Sequence, residues 1–236
     1  MFDILRAAGV AVWPTTLHRT QRADGSVVVY HQQPVADSST LGTSVLRAAP
    51  DGDANTLAMI DAIVRAAVAV CREGEVGFDV QAANWLWDGT TATQIDFTSP
   101  FVVAASGKDL IFDTTSFLRE YPGPMRGLLK KELLKIVHRF TTAEGAVTDL
   151  VANLQKEYLH RWVEPAIDVA RSHGLHIDRA ATEKMLAEDA KLMPALLKVR
   201  KAYRWWVQHT GRAYDSLLPH RTTYELLAEK YGANAQ

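Results

Sequence analysis

The longest regular hydrophobic pattern in the first half of the chain runs from Ala54 to Arg72. There Leu57, Ile60, Val64, Ala67, Val68 and Cys71 repeat at helical spacing, behind Asp53 as a cap for the free N–H groups of the first turn. Upstream, residues 1–8 read as a short helix ended by Gly9. Val10 to Thr20 alternates apolar and polar residues as a strand, and Val27 to His31 reads as its return after the Ala23-Asp24-Gly25-Ser26 turn. A third short strand is predicted over Thr40–Leu46. After the helix, Gly74 and Gly77 break the chain, and two short strands, Ala83–Trp87 and Thr93–Phe97, flank Asp88-Gly89, a strong hairpin signal. A further small hairpin around Gly107 is read from residues 101–104 and 110–113. Beyond Phe117 the period is helical, over 126–139, 144–172, 178–208 and 222–231. Breaks fall at Pro122-Gly123-Pro124, Gly174 and Pro219, and Pro165 and Pro194 are expected to bend or split the two longest segments.

This order predicts an α+β fold. We read residues 1–236 as one domain, with a strand-rich N-terminal part over residues 1–50 and a largely helical remainder over 51–236. A hydrophobic content of 47% and a charged content of 22% are ordinary for a globular chain. No run of eighteen apolar residues is present, so no membrane span is expected, and Met1–Arg6 lacks the pattern of a secretory signal. The single cysteine, Cys71, excludes an internal disulfide and fits a cytoplasmic setting. A net charge of −1 argues against nucleic acid as a partner. That charge is uneven. Residues 1–107 hold six Lys and Arg against eleven Asp and Glu, and no lysine precedes Lys108.

The chemistry concentrates in Gly77-Phe78-Asp79-Val80-Gln81-Ala82-Ala83-Asn84, followed by Trp85-Leu86-Trp87, Asp88-Gly89 and Ile95-Asp96-Phe97. An aspartate, an asparagine five residues on, and a second aspartate at the end of a tight hairpin form a set of hard oxygen donors suited to Mg²⁺, with one carboxylate left to orient a hydroxyl. Phe78, Gln81, Trp85 and Phe97 are the neighbours from which a substrate pocket would be built. The histidines, among them His160, His173 and His176, lack zinc-ligand spacing and read as surface or capping residues. Cys71 falls on the apolar face of its helix and reads as buried packing.

Residues 74–100 resemble the catalytic segment of kinase-like phosphotransferases, in the aminoglycoside phosphotransferase and choline kinase branch. The pattern there is an H-G-D-x-x-x-x-N loop, a D-G turn and a strand ending in I-D-F. The longer run also resembles an actinobacterial group associated with natural-product genes. The resemblance implies a protein-kinase-like fold with a reduced N-terminal lobe. Asp79 would be the catalytic base, and Asn84 and Asp96 the Mg²⁺ ligands holding ATP, with a hydroxylated small molecule as acceptor. Gly77 stands where that family has histidine, the phosphate-covering glycine loop has no counterpart, and the lysine clamp is absent. Two further readings follow. One is an ATP-independent acid/base isomerase, cyclase or lyase on the same scaffold; the other is a non-catalytic pseudokinase that binds without turnover. Self-association is open in each.

Overall fold

In the computed structural model the described residues are 2–21, 23, 25, 27–71, 76–96, 101–102 and 139–210. They fall into two units, Met1–Asp178 and Arg179–Gln236.

The first unit mixes helices with short strands, as an α+β reading requires. Helix α1 (Phe2–Ala7) buries Leu5 and ends at Gly9, whose φ of +75° closes the turn. Strand β1 (Ala11–Val12) pairs in parallel with β6 (Ala92–Gln94), and β6 pairs antiparallel with β5 (Trp85–Trp87), giving the order β1-β6-β5. The strand expected over Val10–Thr20 is therefore two strands. Trp13 N–H donates to Gln94 O, the ladder stops at Pro14, which has no N–H to contribute, and the chain restarts as β2 (Thr16–Gln21). Strand β2 pairs with β3 (Val27–Gln32) from Thr16↔Gln32 to Gln21↔Val27, an exposed ribbon where the sequence predicted a hairpin.

The strand predicted over Thr40–Leu46 is a helix instead. The Asp37 carboxylate accepts from Ser39 N–H and starts a 3₁₀ turn at Ser38–Thr40, which leads into α2 (Gly42–Ala48). The buried positions Gly42, Thr43 and Leu46 are spaced three and four apart, the period of a helix packing one face. Trp162 Nε1 and Arg161 Nη2 both donate to Leu46 O and occupy the carbonyls that the helix end leaves unpaired.

Helix α3 (Ala54–Val70) starts as predicted, with the Asp53 carboxylate accepting from Thr56 N–H at 2.8 Å. Its buried face carries Met59, Ile60, Ile63, Val64 and Ala67. Cys71 closes it; its thiol donates to Phe140 O, and burial pushes its pKa up to about 12, so it serves as packing rather than as a nucleophile. Gly77, expected as a break, lies in β4 (Val76–Gly77), which pairs antiparallel with β7 (Phe101–Val102). A glycine tolerates this extended pairing, and its neighbours supply the burial.

Helices α4 (Ala143–Lys156) and α5 (Val163–Ser172) pack on α3. The 144–172 segment splits ahead of Pro165, not at it. Tyr158 has a φ of 58°, and a 3₁₀ turn at His160–Trp162 re-aims the chain. Pro165 sits in the first turn of α5, where an N–H would have no intrahelical acceptor. Gly174, at φ +77°, ends α5 as expected. The second unit holds α6 (Arg179–His209), continuous through Pro194. Among the described residues no helix is long and apolar enough to cross a membrane. The expected elements at 110–113, 126–138 and 222–231, and the breaks at Gly74, Pro122-Gly123-Pro124 and Pro219, lie outside the described residues.

Gly42 is where α2 meets the motif. A Cβ placed there would overlap the carbonyl oxygen of Ala82, a backbone atom that cannot swing aside. Gly42→Ala is expected to lower unfolding free energy by about 1–3 kcal/mol, the usual effect of overpacking, read as a reduced denaturant midpoint at unchanged slope. An unchanged midpoint would show that α2 and the motif loop separate freely.

Candidate active site around Asp79

The site is assembled by a loop fixed at both sides of one aspartate. Phe78 leaves β4 with 3% exposure, its N–H donating to Phe140 O and its ring edge-on to Trp85 at 5.8 Å between centroids. Val80 is fully buried. Alternation along this extended stretch turns Asp79 away from both, toward the boundary between core and solvent, where it is half-buried. One Asp79 carboxylate oxygen accepts from Gln81 N–H at 3.1 Å, the local turn that aspartate favours.

Asn84 follows on a 3₁₀ turn, Ala82–Asn84, whose N–H donates back to Gln81 O. Its amide nitrogen lies 3.5 Å from Asp79 O, a long contact, and its side chain also holds down the pKa of the Asp79 carboxyl. The Asp88-Gly89 turn forms as the sequence predicts. Asp88 accepts from Thr90 N–H and Thr91 N–H at 2.8 and 2.7 Å, and Gly89 takes a φ of +99° that a side chain would resist. The hairpin then returns the chain beside the loop: Ile95 N–H donates to Asn84 O, and Gln94 Nε2 donates to Asp96 O. Asp96 is exposed, and its charge reaches Asp79. Asp79, Asn84 and Asp96 thus gather at one end of the hairpin.

Asp79 is raised from the ordinary carboxyl value to about 6. Burial is the largest cause, and the charges of Asp149 and Asp96 add to it, while hydrogen bonds from Gln81 and Asn84 act in the opposite direction.

Of the four expected pocket residues, Phe78 and Trp85 belong to the hydrophobic core, and Phe97 lies outside the described residues. Gln81 is held on both ends of its amide. Its Nε2 donates to Asp149 Oδ2 at 2.9 Å, and its Oε1 accepts from Asn153 Nδ2 at 3.2 Å. Asp149, only 4% exposed, faces Arg139 Nη1 at 3.5 Å on its other oxygen. Sequence reasoning missed this group. Its signal was present: Asp149 and Asn153 stand one turn apart among Val147, Leu150, Val151 and Leu154, so two polar side chains flank the face that must be buried.

Among the described residues no group of three or more histidine, cysteine, aspartate or glutamate side chains is placed to hold a metal ion. The donors near Asp79 are carboxylate and amide oxygens, which fit Mg²⁺ in its usual role with most ligands from water and phosphate rather than a closed protein cage.

The electrostatics give a stability prediction. Asp79 binds its proton more tightly folded than unfolded, so its contribution is most favourable below about pH 4 and is lost as pH rises through about 6. The shift corresponds to roughly 3 kcal/mol. In chelator-containing buffer, Asp79→Asn is expected to gain stability over the parent as pH rises from about 4 to 7, approaching that figure, by denaturant unfolding at each pH. Asp149→Asn removes a like charge and should move the midpoint of this dependence downward. A stability difference that stays flat across the range would show that Asp79 is not desolvated.

No curated protein and no solved structure matches the chain. One family model, described as a family of unknown function (DUF6206), matches residues 1–205, which include the Asp79 loop, the hairpin and the Asp149 helix. The chain therefore belongs to this family of unknown function, DUF6206.

Proposed function

We propose that the Asp79 loop and its hairpin form the active centre of a small-molecule phosphotransferase-like enzyme of kinase-like fold, acting on a hydroxylated metabolite of secondary metabolism, in keeping with its resemblance to natural-product-associated proteins. The observation that carries this reading is the gathering of Asp79, Asn84 and Asp96 at one hairpin end, with Asp79 raised to about 6 by burial and by the charges around it. The order of elements supports it too: a long helix α3, strand β4, the aspartate loop, the β5–β6 hairpin, and β7 returning to pair with β4.

In this mechanism Asp79 accepts the proton of the acceptor hydroxyl as its oxygen attacks phosphorus. A base with a pKa near 6 is mostly ionised at neutral pH and still basic enough to share a proton. Gln81 N–H fixes one carboxylate oxygen, and the Gln81–Asp149 contact fixes the loop on α4. Asn84, whose amide nitrogen is turned to Asp79 O, would offer its Oδ1 to Mg²⁺, and Asp96 would supply the second protein ligand. When bound, Mg²⁺ with ATP supplies the phosphoryl group and disperses the charge that builds on it.

A second reading is favoured by two observations, the absence of lysine before Lys108 and the desolvated state of Asp79. Here the same carboxyl shuttles a proton on an apolar metabolite without nucleotide, as an isomerase, cyclase or lyase. A pseudokinase would bind nucleotide and transfer nothing.

Thermal unfolding with Mg-ATP separates them. The first reading expects stabilisation of about 2.7 kcal/mol at a hundredfold excess over Kd, and phosphoryl transfer that Asp79→Asn abolishes. Failure of every nucleotide–metal pair to shift the melt overturns it and leaves the acid/base reading. A shift with no transfer to any acceptor identifies the pseudokinase.

A further inference from the structure

The β2–β3 ribbon stands apart from the core of the first unit. Its register runs from Thr16↔Gln32 to Gln21↔Val27, and among the described residues neither strand pairs with a third. Both of its faces are exposed. Leu17 and Val27 share one face, 57% and 46% exposed. Tyr30 lies on the other, 51% exposed and stacked on His18 at 4.9 Å between ring centroids. No described side chain of the ribbon joins the hydrophobic core. Its base is nevertheless fixed. Trp13 Nε1 donates to Pro34 O at 3.1 Å, and Gln33 Nε2 donates to Ile95 O at 2.8 Å and to Thr15 Oγ1 at 3.0 Å. A two-stranded ribbon without a packed face is marginal in water, and further strands or a covering surface are what ordinarily stabilise it.

The two edges of the ribbon differ in charge. Strand β2 carries Arg19 near its middle, whereas β3, Val-Val-Val-Tyr-His-Gln, has no aspartate, glutamate, lysine, arginine or proline. Charged residues and proline are what ordinarily keep an edge strand from pairing. Strand β3 is also complementary to itself. In an antiparallel register centred on Val29, Val28 stands opposite Tyr30 and Val27 opposite His31, so β-branched positions meet ring-bearing ones and no like charges are opposed at neutral pH. Pairing β2 with its own copy would instead bring two arginines together.

We propose that the β2–β3 arm joins two copies of this chain, the free edges of β3 pairing antiparallel across a twofold axis to form a four-stranded sheet in the order β2-β3-β3-β2. Arg19 then guards both outer edges, so assembly closes at the dimer. Six residues from each copy make a small contact, and the association is reversible and concentration-dependent. The contact stands independently of the reaction assigned to Asp79.

The test uses the full chain. Sedimentation equilibrium from low micromolar to millimolar concentration is expected to show monomer and dimer only. Val29→Glu keeps the ribbon, because the new carboxylate faces Arg19, its register partner in the same copy, but it sets two carboxylates against each other at the twofold axis. The dimer Kd is expected to rise about tenfold. Val29→Cys is expected to crosslink two copies under mild oxidation, since paired Cα atoms about 4.5–5.5 Å apart lie within disulfide reach, and Arg19→Cys on the outer edge is not. Cys71 is buried and does not compete. A monomer across the whole range overturns the proposal and leaves β3 to a strand from another protein. So does a dimer whose Kd Val29→Glu leaves unchanged, growth beyond the dimer, or failure of Val29→Cys to crosslink more readily than Arg19→Cys.

Discussion

The structure around the candidate site depends on one constraint, a carboxylate held between two side chains that the core does not release. Phe78 and Val80 are buried on either side of Asp79, and backbone alternation leaves Asp79 no other direction. The main chain is fixed at the same place, because Phe78 N–H is committed to Phe140 O. Position is thereby secured by apolar burial, while the charge of Asp79 works against folding. A carboxyl whose charge burial and like charges disfavour, set at the boundary between core and solvent, is the kind of group that concentrates at functional sites.

The elements nearest this constraint were the most legible in the sequence. The Asp88-Gly89 turn forms because glycine alone takes a φ of +99° easily, and because the Asp88 carboxylate can accept from the two N–H groups after it. Asp53 caps α3 for the same local reason. What was misread depended on distant partners. Thr40–Leu46 holds β-branched and apolar residues that suit a strand, but Gly42 lies against Ala82, and Trp162 and Arg161 close the far end of α2, contacts more than a hundred residues away for the latter two. Pro165 looked like a break and is a helix start, since the chain turns at Tyr158, which carries no such mark.

Asp149 shows why the site was only partly readable. Its value lies in touching Gln81, 68 residues earlier, and no local pattern encodes that pairing. The contact has two effects of opposite sign. It anchors the loop through the Gln81 amide, with Asn153 holding the other end, and it brings a second negative charge toward Asp79. Arg139 faces Asp149 on the opposite oxygen and balances part of that charge. The pairing is long at 3.5 Å, and Asp149 still raises the Asp79 pKa, so the balance is incomplete where Asp79 sits.

The hairpin carries a second departure from stability rules. Strand β5 is buried at all three residues, so it has no solvent face on which to place polar atoms. Trp85 and Gln94 are register partners across β5 and β6, and each holds a buried polar atom without a hydrogen bond, a donor in Trp85 Nε1 and an acceptor in Gln94 Oε1. Two such atoms at one rung are a local cost. They stand next in sequence to Asn84 and two residues from Asp96, so the rung that positions the candidate ligands is also the one where packing and polarity disagree. An apolar residue at Trp85 would remove its unpaired donor, whereas Gln94 has a use for its amide, since its Nε2 donates to Asp96 O. The rung is better explained as holding the two ends of the motif in register than as maximising the stability of the sheet.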